Sequence, residues 1–179
     1  MNGIEMLDLY EKNKHPNNNS RIYEIKLTTV SEILVISTRY YSPFNANDLF
    51  LERLVELQKI RDTFGLVSNG PFMAIFHEHY TAQFFCQSGD LEVLMPITKK
   101  NPDCPGIKYF GDFLAVTTLH VGSYPHLYYA YLALTDWVHN NGFEYSGPAV
   151  EKYIIDPTTA VKEENYITEV IIPVRKLAK

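Results

Sequence analysis

The sequence predicts an α+β fold in which one β-α-β-β module is used twice, with pseudo-twofold symmetry and a central ligand groove. The first sign is a repeat at a constant separation of 77 residues. Gly65 matches Gly142, Gly70-Pro71 matches Gly147-Pro148, Phe76 matches Tyr153, and Glu92-Val93-Leu94-Met95-Pro96-Ile97 matches Glu169-Val170-Ile171-Ile172-Pro173-Val174. Leu54 and Leu57 fall on Tyr131 and Leu134 at the same offset, and self-similarity at a fixed period is the sequence mark of a repeated structural unit. The second sign is a hydrophobic period that switches between two and three-to-four along each half. The third is that strands arrive in closely linked pairs, so helices cover one face of an antiparallel sheet and the other face needs its own cover.

The elements follow in order. Residues 22–40 (IYEIKLTTVSEILVISTRY) and 107–121 (IKYFGDFLAVTTLHV) are rich in β-branched and aromatic residues and read as strand. In the first half Asn45 or Asn47 can cap a helix whose apolar stripe is Phe50, Leu54, Leu57, Ile60 and Phe64, ending near Gly65. In the second, Ser123 is the N-cap, Pro125 lies in the first turn, and Leu127, Tyr131, Leu134 and Val138 form the stripe before Gly142. Two strands close each half: residues 71–77 then 91–97, and 149–155 then 166–174. The halves run over about 22–100 and 105–179, making one domain of 22–179; residues 1–21 read as a short helix and a polar linker, HPNNNS.

Composition narrows the function. The chain has 179 residues, enough for one filled core, with 46% hydrophobic and 21% charged residues. No apolar run approaches the ~20 residues that span a bilayer, and the N-terminus lacks a basic start followed by an apolar core, so a cytoplasmic protein without membrane partners is expected. Cys86 and Cys104 are far apart and outside any C-x-x-C pattern, which implies neither a disulfide framework nor zinc. A formal charge of −5 with scattered basic residues argues against direct nucleic-acid binding by this chain. Thirteen Tyr and ten Phe are a heavy aromatic load, suited to strands and to ligand pockets alike.

One residue stands out. In FEYSGPAVEKYIIDP (143–157), Glu151 interrupts a run that otherwise reads as a buried strand. Alternation places Ala149, Glu151 and Tyr153 on one face and Val150, Lys152 and Ile154 on the other. The first-half equivalent of Glu151 is Ala74, so the frame does not require an acid there. An unpaired buried carboxylate costs several kcal/mol, so this one needs a partner or water. A delocalised organic cation with tyrosine rings around it is such a partner, each ring contributing about 0.5–2 kcal/mol; a solvent-facing Glu paired with a lysine is the other reading.

The stretches HVGSYPHLYYAYLALTDWVHNNG (120–142), SGPAVEKYIIDP (146–157) and YITEVIIPV (166–174) resemble the GyrI-like effector-binding family, which also supplies the C-terminal drug-sensing domains of many MerR-type and AraC-type transcription regulators. The resemblance covers about residues 22–175. It implies a duplicated β-α-β-β fold whose groove binds amphipathic, often cationic, compounds, with Glu151 as the acidic contact, Tyr166 lining the pocket and Tyr124 at the head of the second helix. Tyr153 and Tyr128 are further ligand-binding candidates, and Trp137 is a core residue. No helix-turn-helix fits into the first 22 residues, so the chain resembles a stand-alone member or a piece of a longer regulator.

Other chemistries find little support. His77-Glu78-His79 puts two imidazoles on one strand face but lacks a third ligand, so no metal is expected. There is no Gly-x-Ser-x-Gly elbow and no glycine-rich phosphate loop, so neither acyl transfer nor a nucleotide cofactor is expected. Three functions stay open: small-molecule binding for sensing or sequestration; hydrolysis of cyclopropane-bearing or similar electrophilic toxic compounds with Glu151 as catalytic base; and inhibition by contact with a protein partner, a regulator or gyrase. Fold alone cannot choose among them.

Overall fold

In a computed structural model the described residues are 23–42, 46–78 and 89–178. The proposed N-terminal helix and linker, Asn45, His79 and Cys86 lie outside them. The elements are β1 (Lys26–Val30), β2 (Ile33–Ser42), α1 (Ala46–Thr63), β3 (Met73–Phe76), β4 (Gly89–Pro96), β5 (Ile107–Phe110), β6 (Phe113–Val121), α2 (Leu127–Asn140), β7 (Phe143–Tyr145), β8 (Ala149–Ile155) and β9 (Ile167–Lys176). Short 3₁₀ turns at Tyr124–His126 and Glu163–Asn165 precede α2 and β9. All pairings between these strands are antiparallel, and the fold is α+β.

The strand order is β1-β6-β9-β8-β3-β4-β2-β5, with β7 added to β9. Exchanging β1 with β5, β2 with β6, β3 with β8 and β4 with β9 reverses that order onto itself. The local geometry recurs in step. Met73 pairs with Leu94 as Val150 pairs with Ile171, and Ser68 bridges Ile97 where Tyr145 pairs with Val174. The Asn69 amide donates to the Pro96 carbonyl at 3.2 Å, and the Ser146 amide to that of Pro173 at 2.9 Å. Each Gly-Pro glycine lies against a proline of the neighbouring strand, Gly70 on Pro96 and Gly147 on Pro173. The first two strands of each half keep a different spacing: Val35 and Ala115 hold equivalent places opposite Pro96 and Pro173, 80 residues apart.

Each long first strand is broken, where the sequence suggested one continuous run. β1 and β2 are first and seventh in the sheet, yet only Ser31 and Glu32 join them. Three residue steps span about 10 Å, so the sheet must curl until its two ends meet. The breaks cross there: the Asp112 amide donates to the Val30 carbonyl at 2.8 Å, and Gly111 (φ +127°) passes so close to Ser31 that a Cβ would stand 2.3 Å from its carbonyl oxygen. Inside the curl lies a core of Val35, Met73, Ile75, Leu94, Ala115, Val150 and Ile171, capped by Val30, Phe110 and Phe113. That core is the cover of the second sheet face.

Both helices pack on the other face. Leu57 of α1 joins Ile36, Val93, Met95 and Ile97, and α2 buries Leu127, Tyr131, Leu134 and Val138, the stripe read from the sequence, together with Tyr128 and Ala130 against β6 and β9. Gly65 and Gly142 follow the helices with φ of +61° and +74°, as left-handed C-terminal positions require. Asn47 is the second residue of α1 and so is not its cap. Ser123 makes no side-chain cap hydrogen bond either. It opens the 3₁₀ turn instead: the His126 amide bonds its carbonyl at 3.1 Å, and α2 begins only at Leu127. Pro125, which has no N–H, sits inside that tight turn.

Because the crossing leaves no room for a side chain, Gly111→Ala is expected to lower stability by at least ~2 kcal/mol, measured by urea unfolding. A loss below 0.5 kcal/mol, roughly the level of an ordinary surface change, would show that the crossing can relax.

Candidate functional site

β3 and β8 pair where the halves meet, and Ala74 stands directly opposite Glu151. These two are repeat equivalents, so the local twofold passes between them. The alternation read from the sequence holds, since Ala149 joins the core beneath α2 whereas Val150 points into the curl. Glu151 is 2% exposed.

Two tyrosine hydroxyls meet its carboxylate. Tyr131 Oη donates to Oε1 at 2.8 Å from α2, and Tyr153 Oη donates to Oε2 at 2.9 Å from two residues along β8. Hydrogen bonds to a charged group contribute about 1.5–3 kcal/mol each, enough to offset most of the several kcal/mol that burial of the group costs. Burial, then the charge and hydrogen bond of Glu151, hold the Tyr153 phenol well above its ordinary range, so it remains a donor at neutral pH. Leu54, Ala74 and Phe76 occupy the corresponding places in the first half. The acid and both its donors therefore replace apolar residues as a set.

Glu151 and Tyr153 line a cavity of about 370 Å³. Phe50, Leu51 and Leu54 of α1 form one wall; Phe72, Phe76 and Leu91 of the first-half sheet form another; Tyr124, Pro125 and Leu127 close it at the head of α2. Asp156, Pro157 and Thr158, just past β8, complete the rim. The first half thus supplies apolar surface, and both carboxylates come from the second. None of the described lining residues is basic.

Tyr124 is held in place from behind. Its ring meets Tyr153 at 5.8 Å between centroids, nearly perpendicular, and Tyr166 at 5.3 Å. Buried His120 bonds the Ser123 carbonyl through Nε2 at 3.2 Å and Tyr23 Oη through Nδ1 at 2.9 Å, which fixes the turn that carries Tyr124. Phe50 packs edge-on against Tyr153 at 5.3 Å.

Of the five ligand-binding residues read from the sequence, Glu151, Tyr153 and Tyr124 line the cavity. Tyr166 does not: it precedes β9 rather than opening it, and its ring backs Tyr124. Tyr128 is 7% exposed in the core beneath α2, one residue past the helix position that faces the cavity. Trp137 packs on Phe143 at 5.4 Å. His77 bonds Glu92 at 3.2 Å, and no group of three or more metal-ligand side chains exists among the described residues. Tyr131 is the residue the sequence reading placed in the core stripe without a function. Its signal was available, since Tyr131 replaces Leu54 at the same offset at which Glu151 replaces Ala74.

A curled antiparallel sheet with two helices on one face and an acid-floored, aromatic cavity between them defines a small-molecule binding domain. The match to the GyrI-like small molecule binding domain runs over residues 24–175, and the chain belongs to that family. Among solved structures it is similar to the MerR-type regulator EcmrR in its DNA complex (22% identical, TM-score 0.76, 97% of this chain covered). The chain spans 63% of the length of EcmrR in that complex. It is also similar to the EcmrR C-terminal domain alone (23% identical, TM-score 0.74, covering 87% of this chain and 99% of that one), and to a hydrolase from Listeria innocua (13% identical, TM-score 0.62, 94% and 98% covered). At those identities the likeness is one of fold. No curated protein matches the sequence. No helix among the described residues is long and apolar enough to cross a membrane.

If the three polar side chains act as one unit, Tyr131→Phe lowers stability by about 1–3 kcal/mol, and by less than about 0.5 kcal/mol on a Glu151→Ala background. Equal costs in the two backgrounds, from chemical denaturation, would show that Tyr131 is stabilised by something other than Glu151.

Proposed function

We propose that this domain binds amphipathic cationic or aromatic small molecules, for sensing or sequestration, with Glu151 as the counter-charge and the rings of Phe50, Phe76, Tyr124 and Tyr153 as the apolar contacts. One observation carries the reading: a buried carboxylate, steadied by two hydroxyls, opens onto a cavity whose remaining lining is largely apolar and, among the described residues, contains no cation. Charge in a low-dielectric hollow attracts an opposite charge far more strongly than it does in water. A lipophilic cation brings that charge with little hydration to lose, and aromatic faces add cation–π attraction. A neutral ligand of the same shape forgoes both terms.

The experiment is calorimetry with a hydrophobic dye cation, rhodamine 6G, against the parent protein and Glu151→Gln. The glutamine keeps the shape and an acceptor oxygen for one tyrosine while removing the charge. Micromolar binding that weakens at least tenfold, about 1.4 kcal/mol, is expected; unchanged affinity would remove Glu151 from recognition.

The same carboxylate supports a second reading, hydrolytic opening of an electrophilic ring, in which Glu151 deprotonates water and a tyrosine hydroxyl bonds the leaving oxygen. Glu151 and Tyr153 line one hollow, as that chemistry needs. Binding is favoured because both carboxylate oxygens already accept a tyrosine hydroxyl, which lowers their basicity toward water. Incubation with a cyclopropane-bearing compound, followed by mass spectrometry, separates the two: no change in mass is expected, and a gain of one water would establish turnover. The open cavity supports either small-molecule reading over inhibition by protein contact, for which a filled groove would serve.

A further inference from the structure

The cavity carries a second acid that the buried carboxylate does not account for. Asp156 lines the same hollow as Glu151 but at its rim, directly after Ile155 ends β8. Five residues of strand separate the two acids, roughly 16 Å at full extension, shortened by the irregularity between Tyr153 and Ile155. Glu151 is the dry end and half-buried Asp156 the wet one.

The turn that holds Asp156 is tightly made. Oδ1 accepts the Thr158 amide at 2.8 Å and the Thr158 hydroxyl at 2.6 Å, with the Thr159 hydroxyl farther off at 3.5 Å. The Asp156 amide donates to Thr159 Oγ1 at 3.0 Å, and its carbonyl accepts the amides of Thr159 and Ala160 at 3.0 and 2.9 Å. Pro157 and Thr158 themselves line the cavity, so this turn is part of its wall. Among the described residues, no hydrogen bond reaches Oδ2 and no lysine, arginine or histidine pairs with Asp156. One oxygen of a fixed carboxylate is thus left to something outside the described fold. Tyr124, between the two acids, registers this field: after burial, the charge of Asp156 is the largest influence raising its hydroxyl, ahead of Glu151 and Glu163.

We propose that the site recognises bipolar cations, with one lipophilic, donor-poor charge in the depth against Glu151 and a second, hydrated ammonium or amidinium at the mouth bonded to Asp156. The inference rests on the binding function proposed above. The two ends suit different chemistries. An ammonium carries three N–H donors that must be satisfied wherever it is buried, and the floor acid already holds two hydroxyls. At the rim water remains available, and Asp156 Oδ2 has an acceptor to spare. The apolar walls between the acids fit a hydrocarbon linker.

A matched pair of ligands isolates the second contact: (6-aminohexyl)triphenylphosphonium and (6-hydroxyhexyl)triphenylphosphonium share the head group and chain length and differ in the terminal charge. Calorimetry is expected to give about fivefold tighter binding of the amino compound, the size of a half-exposed charge pair, with the preference shrinking as salt rises. In Asp156→Asn, whose amide oxygen can still accept from Thr158, the ratio of the two affinities should fall to about one. In Glu151→Gln both affinities should fall with their ratio intact. A ratio near one in the parent protein, or a ratio unaffected by Asp156→Asn, overturns the inference while Glu151-dependent binding of the hydroxy compound leaves the parent reading standing. If neither compound binds, both fall.

Discussion

Everything at this site depends on the cost of taking a carboxylate out of water. Left alone, Glu151 at 2% exposure would be one of the most destabilising groups in the molecule. Its two tyrosine donors come from different elements, α2 and β8, so the requirement couples helix to sheet. The helix cannot shift without withdrawing Tyr131, and the strand cannot slip register without withdrawing Tyr153. The result is a preorganised negative charge beside an apolar hollow, the condition under which a cation is bound without first having to order its receptor.

A near-symmetric frame makes the function readable as a departure from symmetry. Where the halves must fit each other, their contacts repeat, down to the amide bonds to Pro96 and Pro173 and the packing of Gly70 and Gly147. Where the ligand is expected, Leu54, Ala74 and Phe76 face Tyr131, Glu151 and Tyr153 in a three-way replacement of apolar by polar. Packing cannot demand that set, since the other half does without it. Ala74 lies directly across from Glu151: a second acid there would place two like charges in contact on the axis, and the methyl group leaves the hollow one-sided.

Most of the architecture was legible because local rules and the fold agree. Alternation in 149–155 oriented Glu151, three-to-four spacing gave the buried stripe of α2, and Gly65 and Gly142 stopped the helices. The features that escaped are those set by distant contacts. The breaks at Ser31-Glu32 and Gly111-Asp112 follow from closure of the curled sheet, which no window of sequence contains. Tyr128 and Tyr131 look alike in sequence, but a rotation of about 100° between neighbouring helix positions separates the core from the acid. Tyr166 is aromatic and near the site, yet it supports Tyr124 instead of lining the hollow. Asp156 was read as part of a closing turn, and only the coordinates show that the turn is also wall.

The most direct test of the account is a crystal structure of the protein with (4-iodophenyl)triphenylphosphonium, in which anomalous scattering locates the iodine and electron density the phosphorus. The account predicts the phosphonium centre inside the cavity, beside the Glu151 carboxylate and bounded by Phe50, Phe76 and Tyr153, with the Tyr131 and Tyr153 hydroxyls still on its oxygens. A cation bound elsewhere on the surface, with the hollow filled by rearranged side chains, would contradict it.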